Sequence, residues 1–139
     1  MTIAPESGPS HDRSVERRVA GLLAFVAITL AVASVLHLSG QVHGRSEPFD
    51  PTDAGIAEAI IGVVLGAGAV VMLRSPARGR AVGLATIVFA IVGFLVGLTI
   101  TIEGGAAPDI AYHSTILPLL ILSLILLWLS RPRVPAPKR

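Results

Sequence analysis

Five ionisable side chains lie inside or at the ends of long apolar stretches of this 139-residue sequence: His37, Glu58, Glu103, Asp109 and His113. Imidazole nitrogens and carboxylate oxygens can bind divalent metals and can exchange protons near neutral pH. Such groups are costly to place in an apolar environment, so each is expected to have a partner or a function there. They are therefore the candidate functional residues of the chain.

Helical spacing places four of these residues on faces that would pack against other helices. His37 belongs to a face of small side chains, and Glu58 precedes Gly62 by four residues on a face that carries glycines. Asp109 and His113 are four residues apart, so on a helix they share one face. We therefore expect the four side chains to point into a bundle at a similar depth. We expect Glu103 instead to be a solvated residue at a helix end.

Several roles are open to this cluster. The four groups could form hydrogen-bonded pairs that only lock the helix ends together. They could also bind a divalent metal, with His37, Glu58, Asp109 and His113 as ligands and Glu103 as an additional one, although no HxxH, HExxH or ExxH spacing is present. A third role is a site for a quinone, a lipid headgroup or a proton-coupled solute. Haem ligation would rest on two histidines alone, and we do not expect it.

The elements that carry these residues are four apolar stretches. Hydrophobic residues make up 53% of the chain and charged residues 14%, whereas soluble domains carry roughly 25% charged residues. The stretches cover residues 20–38, 54–73, 81–102 and 110–129. Each matches the roughly 20 residues that a helix needs to cross a bilayer. The sequence therefore predicts an all-α integral membrane bundle of four antiparallel transmembrane helices.

The basic residues predict the orientation of this bundle. Ten of the eleven Lys and Arg residues fall before the first stretch, between the second and third, or after the fourth: Arg13, Arg17, Arg18, Arg74, Arg78, Arg80, Arg131, Arg133, Lys138 and Arg139. Only Arg45 lies in the other gaps. Because cytoplasmic loops are enriched in Lys and Arg, we expect both termini in the cytoplasm and the His/carboxylate cluster on the extracytoplasmic side.

The domain organisation follows from the same pattern. Residues 1–19 are predicted to form a disordered cytoplasmic arm, residues 20–130 the transmembrane domain, and residues 131–139 a basic, proline-rich cytoplasmic tail. The first stretch has an alternative interpretation as a signal peptide cleaved after Ala33. Its apolar run continues through Leu38, which favours a retained span.

Small residues predict which spans pack closely. The second span carries Gly62 and Gly66, the third carries Gly93 and Gly97, and the first carries several alanines. The fourth has no such stripe. We therefore expect the first three spans to pack tightly and the fourth to be more exposed to lipid.

Several classes of protein are disfavoured. The chain has no cysteine, so thiol redox chemistry and cysteine metal sites are excluded. The net charge of +2 comes from residues that flank the spans, and we expect no nucleic-acid partner. Ser114 follows His113 directly, but neighbouring helical residues diverge by about 100° and cannot act as a pair. No GxSxG, Walker or Rossmann motif is present.

The sequence thus indicates a small multi-pass protein of the cell membrane (inner or plasma membrane), with the lipid bilayer as its first partner. The abundance of Arg, Ala and Gly suggests a bacterial origin. We expect a non-enzymatic subunit or helper of a larger membrane complex, or a homo-oligomer, without a bound cofactor. The alternative is a membrane protein that binds a divalent metal, a quinone or a proton-coupled solute through the His/carboxylate cluster.

Overall fold

The computed structural model describes residues 10–130, apart from the side chains of residues 10–12 and 76. Four helices make up nearly all of this range. The helices are α1 (Ser10–Leu38), α2 (Pro51–Arg74), α3 (Pro76–Gly104) and α4 (Ala107–Leu129). No strand occurs in this range. Each helix is long and apolar enough to cross a membrane, so the all-α class and the four candidate spans are confirmed. The tail 131–139 and the first nine residues of the predicted arm lie outside the described residues.

Helix α1 begins earlier than the sequence predicts. It starts at Ser10, so the helix includes residues 10–19, which the sequence analysis assigned to the cytoplasmic arm. Val15, Val19 and Leu23 recur every four residues and pack on the core, with Val19 buried and Val15 partly buried. The charged residues between them lower the average hydropathy of this segment, but they do not interrupt its helical period.

The breaks between helices follow from local chemistry. Asp50 caps α2, because its Oδ1 accepts hydrogen bonds from the backbone N–H groups of Thr52 (2.7 Å) and Asp53 (3.3 Å). Pro51 occupies the first turn, where the missing N–H costs nothing. Only Ser75 separates α2 from α3, since the proline that follows it disfavours helical backbone there.

The tightest helix contact is between α1 and α2. A Cβ added to Gly62 would lie 3.3 Å from both the carbonyl oxygen of Ala27 and the Cβ of Leu30. The glycine therefore lets the two backbones approach closely, as predicted. Further along, Thr29 Oγ1 lies 2.9 Å from the hydroxyl oxygen of Tyr112, which joins α1 to α4.

Helix α3 is less enclosed than the sequence predicts. Of the most apolar 18 residues of each helix, 39% are buried in α2 and 33% in α1, but 22% in both α3 and α4. The expectation of three tightly packed spans is therefore wrong for α3. The two glycines of its GxxxG spacing face different neighbours, since Gly93 meets Ile61 of α2 and Gly97 meets His113 of α4. They bring α3 close to both helices but create no continuous contact with α1.

The two ends of the bundle are held by arginines. One end, which we call the loop end, consists of residues 39–50 and 105–106. Here the backbone N–H of Arg45 donates to the carbonyl oxygen of Gly104 (2.6 Å), and Nε of Arg45 donates to the carbonyl oxygen of Gly105 (2.6 Å). At the opposite end, Arg80 donates from Nε to the carbonyl of Leu127 (3.1 Å) and from a terminal nitrogen to that of Trp128 (2.9 Å).

Candidate functional site

The last turn of α1 and the second turn of α2 bring His37 and Glu58 together near the loop end. Ser34 donates from its hydroxyl to the carbonyl oxygen of Gly55 over 2.7 Å and fixes the two helices at this level. A Cβ on Gly55 would lie 2.8 Å from Cγ of Leu38 and 3.2 Å from Cβ of His37. The absence of a side chain at Gly55 therefore permits the approach that the pair requires.

His37 and Glu58 form a buried pair. Nδ1 of the imidazole lies 2.8 Å from Oε2 of the carboxylate, and only 3% and 8% of the two side chains are exposed. An ionised carboxylate can only accept, so Nδ1 then carries the proton and donates it. This arrangement orients the ring and leaves Nε2 directed away from Glu58.

Asp109 of α4 approaches the other side of the same ring. Its Oδ1 lies 3.7 Å from Nε2 of His37, which is too long for a hydrogen bond but within the range of an ion pair when His37 is protonated. Nε2 of His37 and Oδ2 of Asp109 are both buried and have no hydrogen-bond partner among residues 10–130. Buried polar atoms without partners are rare in folded proteins, so these two atoms are the most unusual feature of the site.

His113 is held one helical turn after Asp109. Its Nδ1 donates to the backbone carbonyl oxygen of Asp109 over 2.9 Å, so Nε2 is left for another partner. A Cβ on Gly97 would lie 2.8 Å from that Nε2, and the ring of Phe94 lies 5.2 Å from the imidazole between centroids. Gly97 thus provides the space that the His113 ring occupies between α3 and α4.

A cavity of about 460 Å³ adjoins these groups. It lies between α2 and α3, with the His/carboxylate groups at its inner end and mostly apolar walls. The residues that line it are Leu30, His37, Pro48, Phe49, Asp50, Asp53, Ala54, Ala57, Glu58, Ile60, Ile61, Phe89, Gly93, Phe94, Val96, Gly97, Ile100, Thr101, Asp109 and His113. Ligand sites in proteins commonly combine apolar walls with a few convergent polar groups in this way.

The connection between α1 and α2 covers the loop end of this cavity. Phe49 is buried, and its ring lies 5.8 Å from the His37 ring between centroids. Neither the cavity-lining Phe49 nor Arg45, which fastens this connection, is among the residues predicted from the sequence. The signal for Arg45 was its isolation as the one basic residue in that loop. A single phenylalanine in a turn-rich loop gave no comparable signal.

The structure brings together three of the predicted site residues directly: His37, Glu58 and Asp109. His113 lines the same cavity, whereas Glu103 is exposed and lies outside it. Within residues 10–130, no group of three or more His, Cys, Asp or Glu side chains has the arrangement of a metal site. Metal binding by the predicted residues stays a hypothesis.

Comparisons with protein-family models, with curated proteins and with solved structures find no match to this chain. The function is therefore argued from the geometry of the site.

Proposed function

We propose that this protein is a non-enzymatic, membrane-embedded binding protein that takes a small lipophilic molecule with a polar head group into the α2–α3 cavity. One observation carries the proposal: a cavity of about 460 Å³ joins apolar walls to the buried His37, Glu58 and Asp109 groups. A lipophilic body would occupy the walls, and the head group would meet the polar inner end. This is the solute-binding alternative of the sequence analysis.

The depth of the cluster supports such a ligand. Glu58 lies seven residues after the start of α2, which corresponds to about 10 Å along the helix axis. In a bilayer that α2 spans, a polar group at that level would lie below the membrane surface, where water competes weakly for hydrogen bonds. A head group that satisfies Nε2 of His37 and Oδ2 of Asp109 would therefore gain more there than at an exposed surface.

The chemistry of the cluster is reversible proton exchange and hydrogen bonding. An imidazole between two carboxylates can donate or accept a proton as the ligand requires. We place the cluster on the extracytoplasmic side of the cell membrane, following the arginine distribution. A helper role in a larger complex, or self-association, stays a prediction.

A cavity-blocking variant with a matched control tests the proposal. Ala57 and Ala67 are both exposed residues of α2, but only Ala57 lines the cavity. Ala57→Phe would place a ring at the cavity mouth, while Ala67→Phe would place the same ring elsewhere on the lipid-facing surface. Both variants should fold, because each adds apolar area where lipid accepts it.

Binding is measured by calorimetry on protein in lipid nanodiscs with three probes of one scaffold: phenylbutanol, phenylbutylamine and phenylbutyrate. Heat from protein-free nanodiscs is subtracted to remove partitioning into lipid. We expect saturable binding of at least one probe by the native chain and by Ala67→Phe, with a loss of about ten-fold or more in Ala57→Phe. If no probe binds saturably, or if Ala57→Phe binds as well as the native chain, the proposal is wrong.

A further inference from the structure

The residues that line the cavity are unbalanced in charge. Four of them are acidic, namely Asp50, Asp53, Glu58 and Asp109, and none is Lys or Arg. The two histidines are the only side chains of the lining that can become positive. Asp50 and Asp53 are exposed at the rim, where water screens them, so the balance that matters is that of Glu58 and Asp109 at the inner end.

The inner carboxylates are not neutralised by their one close partner. With both carboxylates ionised and His37 protonated, this group of three still carries one negative charge. Arg45, the one arginine of the α1–α2 connection, directs Nε at the carbonyl oxygen of Gly105 instead. An uncompensated charge in an apolar surrounding is costly, so the cluster favours either an added proton or a positive ligand.

The unpartnered atoms show where such a ligand would bind. Oδ2 of Asp109 is a buried acceptor without a donor, and Nε2 of His37 has no hydrogen-bond partner although 97% of that side chain is buried. When His37 is neutral with its proton on Nδ1, Nε2 is an acceptor as well. Two adjacent acceptors beside a net negative charge match a group that carries several donors and a positive charge.

We infer that the head group of the ligand is a protonated amine on a lipophilic body. An ammonium carries three N–H donors and no acceptor, so it can donate to Asp109 and to Nε2 of a neutral His37, and its positive charge offsets one of the two carboxylate charges. This inference rests on the proposed function and specifies the class of ligand.

The walls of the cavity support the same class. Phe49, Phe89 and Phe94 all line it, and aromatic faces attract cations in addition to accommodating an apolar chain. A quinone or another neutral carbonyl compound fits less well, because its oxygens only accept hydrogen bonds and could not satisfy Oδ2 of Asp109. A carboxylate ligand would add a third negative charge to the inner end.

The three probes of one carbon scaffold test the inference directly. In nanodiscs of zwitterionic lipid at neutral pH, phenylbutylamine should bind about ten-fold or more tightly than phenylbutanol, and phenylbutyrate should bind most weakly. Equal affinity for the amine and the alcohol would overturn the inference and leave the proposed function intact. Saturable binding of none of the three would instead remove the proposed function itself.

An isosteric variant assigns the preference to the cluster. Asp109→Asn keeps the shape of the side chain and removes its charge, and Glu103→Gln makes the same kind of change at an exposed position outside the cavity. We expect Asp109→Asn to reduce the preference for the amine over the alcohol about ten-fold while alcohol binding persists. Glu103→Gln should leave the preference unchanged. A preference that survives Asp109→Asn would show that Asp109 does not select the amine, and a preference that is lost in Glu103→Gln would assign the selection to surface charge; either result overturns the inference.

Discussion

Asp109 faces the His37 ring on the side opposite Glu58, with 3.7 Å between Oδ1 and Nε2. A single imidazole is thus shared by carboxylates from two different helices and is itself supplied by a third. Helix α3 contributes no ionisable group to the cavity, and Thr101 is its only polar side chain there. The relative positions of α1, α2 and α4 near the loop end are consequently coupled to the charge of one small cluster.

The His37–Glu58 pair should show strong energetic coupling. His37→Ala or Glu58→Ala alone leaves the other group buried without its partner, and each should lower the free energy of unfolding by about 1–3 kcal/mol. The double variant should cost less than the sum of the two single variants, because no orphaned partner remains. Unfolding in lipid bicelles, followed by helical circular dichroism, measures all four members of the cycle.

Glu103→Ala is the control for this cycle, since Glu103 is exposed at the end of α3. It should change the unfolding free energy by less than about 0.5 kcal/mol. Strict additivity of the His37 and Glu58 substitutions would mean that the 2.8 Å contact contributes nothing to stability.

Two glycines should respond in opposite ways to alanine. A Cβ on Gly79 would lie 2.9 Å from Cα of Met72 and 3.1 Å from its carbonyl oxygen, and this backbone can yield little. Gly79→Ala should therefore destabilise the protein by about 1–3 kcal/mol. A Cβ on Gly66 would meet only Cβ of Ala27, at 3.8 Å, so Gly66→Ala should be neutral or slightly stabilising.

The melting temperatures of the two glycine variants, measured in one common detergent, test this prediction. A similar melting temperature for both would indicate that the α2–α3 turn is looser than the Gly79 contact implies.

The Arg80 side chain should protect the end of α4 from fraying. Arg80→Met keeps much of the apolar stem and removes the donors to the carbonyl groups of Leu127 and Trp128. These hydrogen bonds and the favourable charge at the helix end together stabilise the last turn of α4 by about 1 kcal/mol. Their loss should therefore accelerate amide exchange in that turn on the order of five-fold. Hydrogen–deuterium exchange with mass spectrometry resolves that turn.

Arg78→Met is the matched variant, because Arg78 is exposed and its side chain makes no hydrogen bond within the described range. It should leave exchange in α4 unchanged. If both variants accelerated exchange equally, the effect would follow the net charge of this end and not the contacts of Arg80.

The predicted orientation can be tested by labelling, because the chain contains no cysteine. We expect His43→Cys, in the α1–α2 connection, to react with a membrane-impermeant maleimide in intact cells. Arg78→Cys should react only after permeabilisation, since the arginine-rich end is predicted to be cytoplasmic. Gel-shift detection with a polyethylene-glycol maleimide measures both. The reverse pattern would invert the predicted topology and move the cluster to the cytoplasmic side.

The sequence predicts the helices well because apolar length is a strong signal in a membrane protein. It also predicts that four ionisable side chains point into the bundle at a similar depth, since depth and helix face follow from spacing: His37, Glu58, Asp109 and His113. Contact between α1 and α2 through Gly62 is equally accessible to such reasoning. The helices and the Gly62 contact depend on one helix or one pair of helices, and the common depth of the ionisable groups depends only on their positions along each helix.

What the sequence did not predict depends on how three or more elements combine. The cavity exists because α3 stands away from the α1–α2 contact, and no local pattern reveals this separation. The glycines of α3 suggested close packing, but Gly93 and Gly97 turned out to serve two different neighbours. The start of α1 at Ser10 was obscured because charged residues dilute the apolar average, although Val15 and Val19 retain the helical period.

The hydrogen bonds of Arg45 to the end of α3 bear on how a molecule would reach the cavity. They fasten the α1–α2 connection across the loop end, with Phe49 beneath it, which leaves Asp50 and Asp53 as the part of the lining at the water-exposed rim. The exposed lining residues Ile60, Val96 and Ile100 belong instead to the surfaces of α2 and α3 that would face hydrocarbon. A guest would then arrive sideways, after dissolving in the bilayer. Its apparent affinity, expressed per aqueous concentration, should accordingly increase with its lipid–water partition coefficient.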